Sequence, residues 1–75
     1  MDYKELEEKI NEKRDHNMES FSAYEKDGAC IVHKTDYCSD TDYTFVGKSM
    51  DEILAVFNGR KEEQYQTSRT VYDLD

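Results

Sequence analysis

The sequence predicts an α+β fold, an antiparallel three- or four-stranded meander packed against two helices. Three observations carry this expectation. Asp27-Gly28 separates two short apolar stretches, Ser49 to Gly59 reads as a helix with both ends marked, and Asp42 to Gly47 alternates with the period of a strand. Seventy-five residues with 36% hydrophobic and 37% charged side chains predict a single domain with a thin core, in which six Tyr and three Phe supply much of the volume.

Asp2-Tyr3-Lys4-Glu5 reads as a capping-box start, and Tyr3, Leu6, Ile10 and then Met18 lie on a narrow apolar stripe, so the first helix is expected to fade between Asp15 and Glu19. Asp-Gly takes the positive backbone angles of a tight turn readily, which makes the stretch SFSAYEKDGACIVHKT a β-hairpin. In the third strand Tyr43 and Phe45 share one face, Thr44 and Val46 the other. Ser49 and Glu52 form a capping box, Met50, Ile53, Leu54 and Phe57 follow at helical spacing, and Asn58-Gly59 is the stop. The stripe of this helix is expected to cover the sheet face that presents Phe45 and Ile31. The tail has two readings: a fourth strand over residues 67 to 73, rich in Thr, Val and Tyr, or more helix through RKEEQYQ.

Eighteen acids against ten bases give a net charge of −8, which repels nucleic acid and anionic membranes and attracts basic surfaces. The acids are spread along the chain, and signs alternate in the first helix as on an ordinary soluble face. No apolar run approaches the roughly 18 residues of a membrane span, and MDYKELEEK lacks the features of a signal peptide, so a cytoplasmic protein is expected. There Cys30 and Cys38 stay reduced.

The densest chemistry lies in HKTDYCSDTDY, residues 33 to 43. Cys30, His33 and Cys38 are zinc-type ligands, with His16, Asp36 or Asp40 available to complete a set of four. On a strand, however, positions 30 and 33 point to opposite faces, so the expectation is a buried Cys30, a surface His33, a turn Cys38 and no metal. Asp36, Asp40 and Asp42 lack the central Gly and closing Glu of a calcium loop. No phosphate-binding loop or activated nucleophile is recognisable, which argues against an enzyme, and no cofactor is expected. Between Lys34 and Lys48 the three aspartates stand without a base among them and are interleaved with Tyr37 and Tyr43. Such a cluster reads either as a solvated turn or as an imitation of phosphates that engages Arg and Lys of a partner. Glu62 and Glu63 form a second acidic spot.

The layout as a whole, an N-terminal helix, a meander ending in YTFVGK and the capped helix SMDEILAVFNGR, resembles small acidic proteins of phages and mobile elements, including anti-CRISPR proteins. The resemblance is one of plan, spans most of the chain and carries over no individual functional residue. It implies a non-enzymatic inhibitor, acting in the host cytoplasm, that occupies the basic nucleic-acid-binding surface of a nuclease or similar enzyme. The expected partner-binding residues are Asp36, Tyr37, Asp40, Asp42, Tyr43, Glu62 and Glu63. The alternative expectation is a small structural or regulatory protein that forms a homodimer through exposed aromatics or an unpaired strand edge.

Overall fold

Asp2 and Ser49 decide where the two helices begin. In the computed structural model, which describes residues 1–72, both residues have extended backbones. Asp2 Oδ1 accepts the Glu5 N–H at 2.8 Å, starting α1 (Tyr3–Asn11), and Ser49 Oγ accepts the Glu52 N–H at 3.1 Å, starting α2 (Met50–Asn58). Each cap satisfies one of the amide donors that a helix start leaves free.

Between the helices run β1 (Glu19–Lys26), β2 (Ala29–Asp36) and β3 (Thr41–Gly47); a 3-10 turn (Glu62–Tyr65) then leads into β4 (Gln66–Val71). The sheet is antiparallel in the order β1-β2-β3-β4, so the tail is a strand. Residue 73, the last of the expected strand, lies outside the described residues. Asp27 and Gly28 turn the first hairpin with φ of 52° and 81°, and Lys26 pairs with Ala29 across it. Between β3 and β4 the register skips at Thr67, since Thr44 pairs with Ser68 and Phe45 with Gln66. That skip is a bulge on the outermost strand.

Pairing fixes the faces. Ala23, Val32 and Phe45 stand side by side on the face under the helices, whereas Tyr24, Ile31 and Val46 stand on the opposite face, away from the helices, where Ile31 is nonetheless buried. Ile31 therefore does not meet α2, contrary to the sequence-based expectation. With Phe45 paired to Val32, the two-residue period of the strand sends Ile31 the other way. The core consists of Leu6 and Ile10 from α1, Ile53 and Phe57 from α2, and Phe21, Cys30, Val32 and Phe45 from the sheet. Phe57 meets Phe21 and Phe45 edge-on, with ring centroids 5.2 and 5.4 Å away. A Cβ at position 47 would run into the Ile53 side chain, so Gly47 is what lets α2 lie close to the sheet.

α1 ends at Asn11, earlier than expected, and Met18 is exposed rather than on the stripe. The cause is a long-range bond. The Asn11 amide donates to the carbonyls of Glu7 and Phe21 at 2.8 and 3.0 Å and accepts the Phe21 N–H at 3.0 Å, while Glu7 Oε1 accepts the Ala23 N–H at 3.0 Å. Side chains of α1 thus close the outer edge of β1. The other edge, β4, has all six of its residues exposed.

Replacing Asn11 by Ala is expected to cost about 1–3 kcal/mol, the usual penalty for leaving buried backbone groups unpaired. Hydrogen exchange of the Phe21 amide should accelerate, and an unchanged exchange rate would show that the edge is held by something else.

Candidate functional site

The β2–β3 turn is short, acidic and pinned. Asp36 Oδ1 accepts the Cys38 N–H at 2.9 Å, and Asp40 sits in the left-handed region with φ of 50°, a conformation that a short polar side chain tolerates. Thr41, buried at the base, donates to the Ser39 carbonyl at 3.0 Å. Two further backbone bonds hold the turn from outside: Tyr37 N–H to Met18 O at 2.9 Å and Tyr72 N–H to Asp40 O at 2.8 Å. Tyr37 and Asp40 are exposed and Asp36 is half-buried, so these three present themselves together at one tip.

The other expected site residues part company. Asp42 lies on the face away from the helices, with Oδ2 3.5 Å from His33 Nε2, and the Thr44 hydroxyl is 3.4 Å from His33 Nδ1. A hydrogen bond from the Tyr72 hydroxyl, aided by Thr35 and His33, holds the Asp42 carboxyl below its ordinary range. Tyr43 is on the helix-covered face, stacked on Phe45 with ring centroids 6.4 Å apart, and Lys34 Nζ lies 4.5 Å from its ring centre. It supports the core rather than the tip. Phe45 is two residues on, so the shared face was readable from the sequence. Of the second spot only Glu63 is exposed; Glu62 is 6% exposed and bound to Arg60.

Arg60 is the functional group that sequence reasoning missed. Its guanidinium reaches Glu19 Oε1 at 3.0 Å, Glu62 Oε2 at 2.9 Å, the Lys13 carbonyl at 2.8 Å and Asp15 Oδ2 at 3.3 Å, and it lies 5.6 Å from the centre of the Phe21 ring. Lys34 Nζ adds a contact to Glu19 Oε2 at 3.4 Å. Burial pushes the Glu19 carboxyl up, but the hydrogen bonds and charge of Arg60, the Asp15 N–H and Lys34 together bring it below its ordinary value. Burial pulls the Arg60 guanidinium down, but the hydrogen bonds and charges of Glu62 and Glu19 outweigh it and raise its pKa, so Arg60 stays charged. The groove lined by Asp15, Lys34, Arg60, Lys61, Glu62 and Glu63 therefore contains charges that largely satisfy one another.

The proposed zinc set does not assemble. Cys30 is buried against Tyr3, and burial pushes its thiol up; His33 is on the opposite face and Cys38 is in the turn. Instead His16, Asp36 and Cys38 bring one ligand atom each to within 4.8 Å of one another. On α1 and its C-cap the exposed Glu5, Glu8 and Glu12 recur at helical spacing away from the buried Leu6 and Ile10, with the exposed Lys4 and Lys9 at i, i+4 from Glu8 and Glu5, so both signs share that face. Comparison with protein-family models, curated proteins and solved structures gives no match. Geometry and charge alone carry the functional reading. No described helix is long and apolar enough to cross a membrane.

Glu19→Gln leaves Arg60 and Lys34 without their shared carboxylate and is expected to cost about 3 kcal/mol at neutral pH, as for other broken buried pairs. A carboxyl depressed on folding stabilises the protein above its unfolded pKa of about 4.3, and that stabilisation is lost as pH falls through the lower folded value. Denaturant unfolding at pH 7 and below pH 4 should show the wild type losing more stability than the variant across that interval. Equal losses would mean that Glu19 is not the linked group.

Proposed function

We propose that this chain is a non-enzymatic acidic inhibitor, anti-CRISPR-like in its mode of action, that binds the basic nucleic-acid-binding surface of a nuclease or another nucleic-acid enzyme. The observation that carries the reading is the pinned tip of Asp36, Tyr37 and Asp40, in a stretch with no Lys or Arg between residues 35 and 47, with Asp42 on the other face of β3, in a protein of net charge −8. A preordered tip loses little entropy on docking, and its carboxylates offer charge-assisted acceptors to Arg and Lys. Tyr37 adds a flat ring with a polar end, a side chain suited to interface centres. Glu5 and Glu8 on α1 and Glu12 at its C-cap add negative charge among the exposed Lys4, Lys9 and Lys13, and the excess of acid over the whole chain steers a basic partner into contact. The protein acts in the cytoplasm of its host, without direct contact to nucleic acid or membrane.

The test uses a nucleic-acid enzyme retained by the protein from a bacterial lysate. Converting Asp36, Asp40 and Asp42 together to Asn keeps their acceptor oxygens and the turn while removing three charges. Affinity should fall at least about tenfold at moderate salt, and the salt dependence should flatten. Full affinity in the triple variant would remove the tip from the interface.

One observation favours a second reading, a homodimer of structural or regulatory function. The β1 edge is closed by Asn11 and Glu7, but β4 is open and its residues, Gln66 to Val71, include no acid. An uncovered strand edge is a template for pairing, and in this acidic protein it is a stretch where a second copy meets little repulsion. Sedimentation separates the readings: a dimer indifferent to salt favours the edge, and a monomer favours the tip.

A further inference from the structure

We propose that His16, Asp36 and Cys38 form a zinc site that clamps the loop after α1 to the β2–β3 turn. One imidazole nitrogen, one carboxylate oxygen and one sulfur lie within 4.8 Å of one another, although His16 is 20 residues from Asp36 in sequence. Thiolate, imidazole and carboxylate are each groups that zinc binds, three protein ligands plus water is the open form of its sites, and tetrahedral ligation needs the three atoms to draw in by about 1 Å. The scaffold already brings them together, because the Tyr37 N–H binds Met18 O at 2.9 Å and joins the two segments two residues from His16 and one residue from each of the other ligands. Asp36 uses Oδ1 to hold the Cys38 N–H, an outer-sphere bond that orients its carboxylate and leaves Oδ2 outside it. His16 and Cys38 are exposed, so an ion reaches the site directly, and three protein ligands leave a fourth position for water.

The chemistry balances. The Cys38 thiol loses its proton to solvent on binding. His16 Nδ1 now accepts the Met18 N–H at 3.1 Å, so the neutral ring carries its hydrogen on Nε2. Ligation through Nε2 moves that hydrogen to Nδ1 and gives up the Met18 bond, whose exposed N–H turns to water. One thiolate, one carboxylate and Zn²⁺ sum to zero charge, and the negative protein around them attracts the cation. The zinc site shares Asp36 with the proposed partner-binding tip but does not rest on that reading, since metal binding is measured on the free protein through Cys38 and His16, which lie outside the proposed interface.

The experiment titrates Co²⁺, then Zn²⁺, into the full chain under anaerobic conditions with a reductant that contains no thiol. Expected are one ion per chain, a near-ultraviolet thiolate-to-cobalt absorption that zinc abolishes, and release of about one proton per ion at neutral pH, read from the buffer dependence of the binding heat. Cys38→Ser should remove the absorption, and His16→Ala should weaken binding about tenfold or more. Both positions are exposed, so neither variant threatens the fold. Absence of the absorption, or binding of equal strength in Cys38→Ser, would mean adventitious binding to surface carboxylates and would overturn the proposal.

Discussion

The arrangement of the protein depends on one half-buried cation, Arg60. α2 ends in a Schellman geometry, with Arg60 N–H to Phe57 O at 3.1 Å and Lys61 N–H to Val56 O at 3.0 Å. The residue that takes the left-handed conformation there is Arg60, with φ of 52°, while Gly59 beside it has an ordinary φ of −94°. A left-handed residue that is not glycine costs about 1–3 kcal/mol and persists only where its surroundings hold it. Glu19, Glu62 and the Lys13 carbonyl supply that hold. The end of α2, the start of β1 and the entry to β4 are thus tied at one point, and the loop from Lys13 to Met18 lies where it can reach the β2–β3 turn.

That anchoring has a consequence for the surface. Charges that look alike in sequence fall into two populations, those satisfied inside the Arg60 cluster and those left to solvent. Glu19 and Glu62 belong to the first, together with Lys34 and Arg60, so much of the basic charge on this side is neutralised internally. Asp40, Glu63 and, on α1, Glu5 and Glu8 belong to the second. Eight bases, among them Lys4, Lys9, Lys13 and Arg14, remain exposed beside those acids, so the outer surface keeps both signs with acid in excess.

Elements marked by local signals were legible in the sequence. The capped start of each helix, the Asp-Gly turn and the alternation of β3 each involve residues a few positions apart, and each is present in the fold. Features set by distant partners were not legible. The end of α1 depends on Asn11 meeting Phe21, and the face of Ile31 depends on the register with Val46. Of the candidate site, Asp36, Tyr37 and Asp40 were readable as a turn, and Tyr43 could have been set aside because it shares a face with Phe45. Glu62 could not, since its burial follows from Arg60 folding back over it. The meeting of His16 with Cys38 likewise needed the path of the loop after α1.

The most direct measurement of the central claim is a pull-down from a bacterial lysate with the tagged protein, at low and at high salt, read by mass spectrometry. A nucleic-acid enzyme should be recovered at low salt and lost at high salt or on addition of its nucleic acid. Recovery of nothing but the protein itself, or of a partner indifferent to both salt and nucleic acid, would contradict that claim.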